Sequence, residues 1–65
     1  MRSMNRVRGF SAGRRVRVYD RDKEFGGREG KVDRAGVENG WAVVYVSFEN
    51  RSRPVIFSPD ELILL

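Results

Sequence analysis

Gly27-Arg-Glu-Gly30-Lys-Val-Asp33 is the stretch of this chain that indicates its fold most directly. Its two glycines stand three positions apart and precede a β-branched residue flanked by charges. Glycine accepts a positive φ without steric cost, so the pattern predicts a tight turn that delivers the chain into a strand. We expect a basic arm and a first strand before this turn, and short strands around a small core after it.

The segments on either side of the turn have the alternation of a β-hairpin. Residues 14–19 alternate valine with arginine, which predicts a half-buried antiparallel strand with Val16 and Val18 inward. A second strand begins at residues 30–34, with Val32 inward. The outward positions of this hairpin are expected to form one charged face, made by Arg15, Arg17 and Lys31.

Two polar segments are predicted to be loops. Residues 20–26 carry mixed charge and one aromatic residue, Phe25, which either folds back onto the core or stands out as a contact residue. Residues 35–40 end in Asn39-Gly40, a strong signal for a tight turn between strands.

The strongest strand pattern covers residues 41–48. One face places Val44, Val46 and Phe48 in the core. The opposite face is also largely apolar, which is typical of a strand covered on both sides or of an outward patch that binds a partner. That second face carries Trp41, Val43, Tyr45 and Ser47.

The C-terminal segment predicts a fourth strand, a helical turn and a short last strand. Pro54 marks the edge of a strand at residues 55–57, with Ile56 outward. Ser58-Pro-Asp-Glu61 is a helix-start pattern with room for a single 3₁₀ turn, anchored by Leu62, and residues 63–65 form the last strand. The sequence therefore predicts an all-β domain at residues 10–65, a small five-stranded antiparallel barrel, preceded by a flexible basic arm at residues 1–9.

Composition narrows the classes of function. The 65 residues include no cysteine and no histidine, so disulfides, thiol nucleophiles and zinc sites built from Cys or His are excluded. The carboxylates stand mainly in loops beside arginines, and no glycine-rich turn leads into a helix that could hold a phosphate. Without a catalytic pairing of side chains, we expect no enzyme activity, no cofactor and no metal.

The charge distribution suggests an anionic partner. The net charge is +4, and residues 1–31 carry 10 basic and 4 acidic side chains, against 3 and 5 in residues 32–65. Eleven of the 13 basic residues are arginine, so a genome-wide arginine bias remains an alternative explanation.

The sequence also predicts a cytoplasmic protein. No apolar run approaches the roughly 20 residues that span a bilayer. The charged N-terminus lacks the apolar segment of a signal peptide.

Residues 13–32 resemble the KOW motif of ribosomal and transcription-elongation proteins. The matching elements are Gly13 before Arg14-Arg15, then Val16-Arg-Val18, then Gly27-x-x-Gly30-x-Val32. Arg34 stands where that motif has an aliphatic residue, and the loop before Gly27 is longer. The resemblance implies the first hairpin of an SH3-like barrel that contacts RNA, DNA or a neighbouring protein.

A second resemblance covers residues 10–65 and concerns their overall layout. The order of the glycines and apolar runs is similar to that of plasmid-type (type II) dihydrofolate reductases, which are SH3-like barrels assembled as tetramers. Their pore carries Gln-Ile-Tyr, and the aligned residues here are Val55-Ile56-Phe57. This resemblance implies the fold without the activity.

Two hypotheses for function follow. The first is weak, phosphate-driven binding of RNA or DNA by an accessory of transcription or translation, because arginine makes bidentate phosphate contacts and stacks on bases. Its expected site residues are Arg15, Arg17, Phe25, Arg28 and Lys31, with Arg51 and Arg53 as weaker candidates. The second is a protein-interaction module or small homo-oligomer, because aromatic-rich strips form interface cores. Its expected strip comprises Trp41, Val43, Tyr45 and Ile56, extended by Ile63 and Leu65.

Overall fold

The computed structural model describes residues 7–65, which form one five-stranded antiparallel sheet and one 3₁₀ turn. The elements are β1 (Arg15–Val18), β2 (Glu29–Glu38), β3 (Trp41–Ser47), β4 (Val55–Phe57), η1 (Pro59–Glu61) and β5 (Leu62–Leu64). The sheet has the order β4-β3-β2-β1-β5. These observations confirm the predicted all-β class, the five antiparallel strands and the 3₁₀ turn before the last strand. Within the described residues no pairing joins β4 to β5, so the hydrogen-bonded sheet has two ends.

Most of the predicted basic arm, residues 1–6, lies outside the described residues. The rest of the arm is a turn, in which the backbone N–H of Phe10 donates to the carbonyl of Val7 at 3.0 Å. Phe10 itself is buried in the core.

The two glycines of the Gly27–Asp33 stretch have different roles. Gly27 has a φ of +80° and its N–H donates to the carbonyl of Val18 at 2.8 Å, as the predicted turn requires. Gly30 is not a turn residue: it lies inside β2 and pairs with Val16 of β1. A Cβ atom at this position would stand 2.6 Å from the carbonyl oxygen of Ser47, so only glycine lets β2 approach β3 this closely.

The predicted loop at residues 35–40 is wrong, because β2 continues to Glu38. The register shifts between Val32 and Arg34, so Asp33 is the extra residue of a β-bulge. The bulge moves Arg34 to the outer face, opposite Tyr45, and leaves Ala35 opposite Val44. The charged pair Asp33-Arg34 therefore interrupts the alternation of the sequence without ending the strand.

The predicted tight turn at Asn39-Gly40 is confirmed. Both residues have positive φ, +51° and +81°, the combination that a two-residue type I′ hairpin needs. Because this turn matches the twist of the strands, it fixes the long β2–β3 register.

The residues predicted to face inward lie in the core, except Val55, which is only partly buried against it. Four valines, at positions 16, 18, 44 and 46, are fully buried. Next to them, Phe25 stacks on Phe48 with ring centroids 5.2 Å apart, and both rings are nearly perpendicular to the ring of Phe57. The buried valines and the aromatic rings form one continuous apolar cluster, which is the core of this small domain.

The 3₁₀ turn directs the chain from one end of the sheet to the other. The Glu61 carboxylate accepts a hydrogen bond from the Ser58 backbone N–H at 2.8 Å, as the helix-start pattern predicts. β5 then begins at Leu62, one residue earlier than predicted, and Leu62 pairs with Val18 of β1. No helix among residues 7–65 is long and apolar enough to cross a membrane.

Candidate functional site

The outer face of the β1–β2 hairpin carries the predicted cluster of basic side chains. Arg15 pairs with Lys31, and residues directly opposite each other in an antiparallel pair project from the same face. Arg17 lies two positions along β1 and shares that face. All three residues are exposed to solvent.

The face also contains an acidic residue that is not among the predicted site residues. Glu29 pairs with Arg17 across the hairpin, and its two carboxylate oxygens accept hydrogen bonds from two guanidiniums. The Nη2 atom of Arg15 lies 2.6 Å from Oε1, and that of Arg17 lies 3.1 Å from Oε2. The hydrogen bond from Arg17, followed by that from Arg15, lowers the pKa of the Glu29 carboxyl below its ordinary value of 4.5. The sequence carries a signal for the position of Glu29. It stands two positions before Lys31, so both side chains project from the same face of a strand.

Arg28 and Lys31 are the predicted site residues that Glu29 does not neutralise. Arg28 is exposed and lies next to the end of β1, where its carbonyl accepts a hydrogen bond from the Val18 N–H at 2.9 Å. Neither side chain forms an ion pair with another residue of the 7–65 segment. The hairpin face therefore brings Arg15, Arg17 and Lys31 together with Glu29, and Arg28 lies beside its end.

An open groove of about 520 Å³ borders this face. Gly30 and Phe48 provide its apolar part, and Ser47 adds a hydroxyl. Its charged groups are balanced between Arg15 and Lys31 on one hand and Glu29 and Glu49 on the other. The groove is thus of mixed charge.

Of the two alternatives predicted for Phe25, the structure has the one in which it folds back onto the core: the residue is only 7% exposed, so its ring is not presented to a base. The Asp22 side chain accepts hydrogen bonds from the backbone N–H groups of Glu24 and Phe25, at 2.9 and 2.7 Å, and so turns the loop towards the core. There the ring packs in the aromatic cluster. Of the weaker candidates, Arg51 lies over the Phe25 ring at 5.4 Å, and Arg53 is an exposed loop residue.

The apolar strip is a second surface, on β3 and β4. Trp41 and Ile56 are 72% and 52% exposed, while Val43 and Tyr45 are half-buried. The guanidinium of Arg34 covers the Tyr45 ring at 3.9 Å, and the phenol donates a hydrogen bond to Glu38. The predicted extension of this strip differs from the structure: Ile63 belongs to β5 and Leu65 follows it, at the opposite end of the strand order from β4.

No family model, no curated protein and no solved structure matches this chain. The chemistry of the site therefore depends on its own geometry. Exposed guanidiniums on one strand face can make bidentate contacts with phosphates, and an adjacent ammonium group adds a point charge.

Proposed function

We propose that residues 10–65 are a KOW-like, SH3-like barrel that binds RNA or DNA weakly through its phosphates, as a cytoplasmic accessory of transcription or translation. One observation carries the proposal: Arg15, Arg17 and Lys31 share the exposed face of the β1–β2 hairpin, with Arg28 beside it. Phosphate contacts of this kind give affinity and orientation without reading sequence.

The strand arrangement supports the barrel assignment. β1 lies between β2 and β5, so the last strand of the chain returns to the first, and a 3₁₀ turn separates β4 from β5. Closing the sheet between its two end strands would cover edges that a small β-protein otherwise exposes. The module is proposed as non-catalytic because the chain has neither histidine nor cysteine to pair with its loop carboxylates.

Salt titration of binding is the direct test. Fluorescence anisotropy with labelled single-stranded DNA, RNA and duplex DNA should show affinity that falls steeply with salt. With three or four phosphates contacted, the slope of log K against log salt should be about −2 to −3 for a single strand. Absence of binding to all three probes at low salt would exclude the proposal.

Charge reversal locates the interface. Arg17→Glu with Lys31→Glu should abolish binding while leaving the far-UV circular dichroism spectrum unchanged. The matched control is Arg21→Glu with Lys23→Glu, which makes the same change of charge at exposed loop positions outside the proposed site. Equal losses in the two double variants would show that net charge, and not this face, determines binding.

The exposed pair Trp41 and Ile56 favours a second candidate function, a protein-interaction module or small homo-oligomer. A tryptophan that is 72% exposed beside a half-exposed isoleucine is the composition of an interface core. Sedimentation velocity over a range of concentrations tests self-association: dimers should form in the wild type and disappear in Trp41→Ala, with Val37→Ala as the control at another exposed apolar residue. A wild type that stays monomeric at high concentration would contradict self-association.

A further inference from the structure

The contact between Glu29 and the two arginines of β1 has the geometry of a bound anion. Arg15 and Arg17 each direct one Nη2 atom to a different oxygen of the same carboxylate, at 2.6 and 3.1 Å. A phosphodiester likewise offers two unesterified oxygens that share one negative charge, and guanidinium groups bind carboxylates and phosphates with the same fork of donors.

We infer that the Glu29 carboxylate occupies the position of a ligand phosphate, and that the Arg15–Arg17 pair receives one phosphate of a nucleic-acid backbone by exchanging it for Glu29. This inference rests on the proposed function and adds that Glu29 competes with the nucleic acid for the same two arginines.

The exposure of the three side chains allows such an exchange. Their exposed fractions are 63% for Arg15, 44% for Arg17 and 37% for Glu29, so water and salt screen the ion pairs strongly. The two guanidiniums lower the pKa of Glu29, so its carboxylate keeps its charge at neutral pH and competes as a full anion. An incoming phosphate therefore replaces existing hydrogen bonds instead of adding new ones.

The neighbouring basic residues make the exchange favourable for a polymer. Lys31 lies opposite Arg15 and Arg28 precedes Glu29, and neither has an ion-pair partner within residues 7–65. A ligand with several phosphates can contact these groups first and then displace Glu29. A single phosphate must displace Glu29 without that help, so the site selects a polyanion over free phosphate.

Neutralising Glu29 tests the exchange. The probe is a labelled single-stranded oligonucleotide of about a dozen nucleotides, enough to cover a small barrel. Glu29→Gln should bind it on the order of three- to tenfold more tightly than the wild type, because two ion pairs no longer compete. The matched control is Glu49→Gln, which removes the same charge from the same groove. Glu49 forms no ion pair within the described segment, so this variant should gain less than about twofold.

A second measurement follows the carboxylate itself. In carbon-detected NMR of the wild type, saturation with the oligonucleotide should shift the carboxyl carbon of Glu29 and leave that of Glu49 in place. Amide spectra of both variants check that the fold is retained.

The outcomes separate this inference from the proposed function. Wild-type binding with equal gains in the two variants, or an unmoved Glu29 carboxyl, overturns the exchange and leaves nucleic-acid binding intact. Binding by Glu29→Gln alone supports the competitor role and overturns the proposed function of the wild type. Absence of binding in all three proteins overturns both.

Discussion

Gly30→Ala tests the close approach of β2 to β3. The added Cβ would stand 2.6 Å from the carbonyl oxygen of Ser47 and 2.8 Å from the Cγ1 atom of Val46. The first of these atoms is backbone and cannot rotate away, so one strand must move. Overpacking of this kind costs about 1–3 kcal/mol. A domain of 65 residues has a total stability of about 3–10 kcal/mol, so the loss is a large fraction of it.

The same strand contains a matched control for this change. At Gly36 an added Cβ has no atom within 4 Å, and neither glycine has a positive φ. Gly36→Ala should therefore gain about 0.4–1 kcal/mol, because alanine restricts the unfolded chain. Urea unfolding followed by circular dichroism measures both variants, and an unchanged m-value confirms that the unfolding reaction is the same. Equal unfolding free energies for the two variants would refute the steric role of Gly30.

Three further predictions concern single contacts. The ion pairs of Glu29 lower its pKa in the folded protein, so they stabilise the fold above the ordinary pKa of 4.5. This contribution is lost as the pH falls through the lowered pKa. The urea midpoints of the wild type and Glu29→Gln should therefore differ at neutral pH and converge in acid. Phe25→Leu should lower the unfolding free energy by about 0.5–1.5 kcal/mol through lost ring contacts with Phe48 and Phe57, and should leave oligonucleotide affinity unchanged; loss of affinity at unchanged stability would return Phe25 to the binding site. Gly40→Ala forces a side chain into a φ of +81° and should cost about 1–2 kcal/mol in the same unfolding assay, whereas a neutral effect would mean that the turn adopts another conformation.

Local patterns predicted the strands because burial on one side of a sheet repeats every second residue. Val16 and Val18 alternate with exposed arginines, Val44 and Val46 alternate with half-buried residues, and all four valines are fully buried. The pattern failed at β2, where the bulge at Asp33 changes which residues face inward. A bulge is defined by the pairing of its strand with the neighbouring strand. The local pattern of residues 35–38 does not contain that pairing and therefore predicted a loop.

In the candidate site, too, some features follow from local sequence patterns and others depend on contacts between distant segments. The basic residues of the β1–β2 face were predictable from alternation and a hairpin turn, since both are local. The partnership of Glu29 with Arg15 and Arg17 needed the register of β1 against β2, and the burial of Phe25 needed the packing of a loop onto distant rings.

The sequence by itself determined the class of fold, the strands other than the second half of β2, the Asn39-Gly40 turn, and the concentration of positive charge in the first half of the chain. Tertiary structure decided which side chains meet. It made Gly30 a point of strand contact, placed Phe25 in the core and set Glu29 between two arginines. The physical reason is the range of the interactions: φ preferences and alternation act between neighbours in sequence, whereas register and side-chain packing join residues that only the folded sheet brings together.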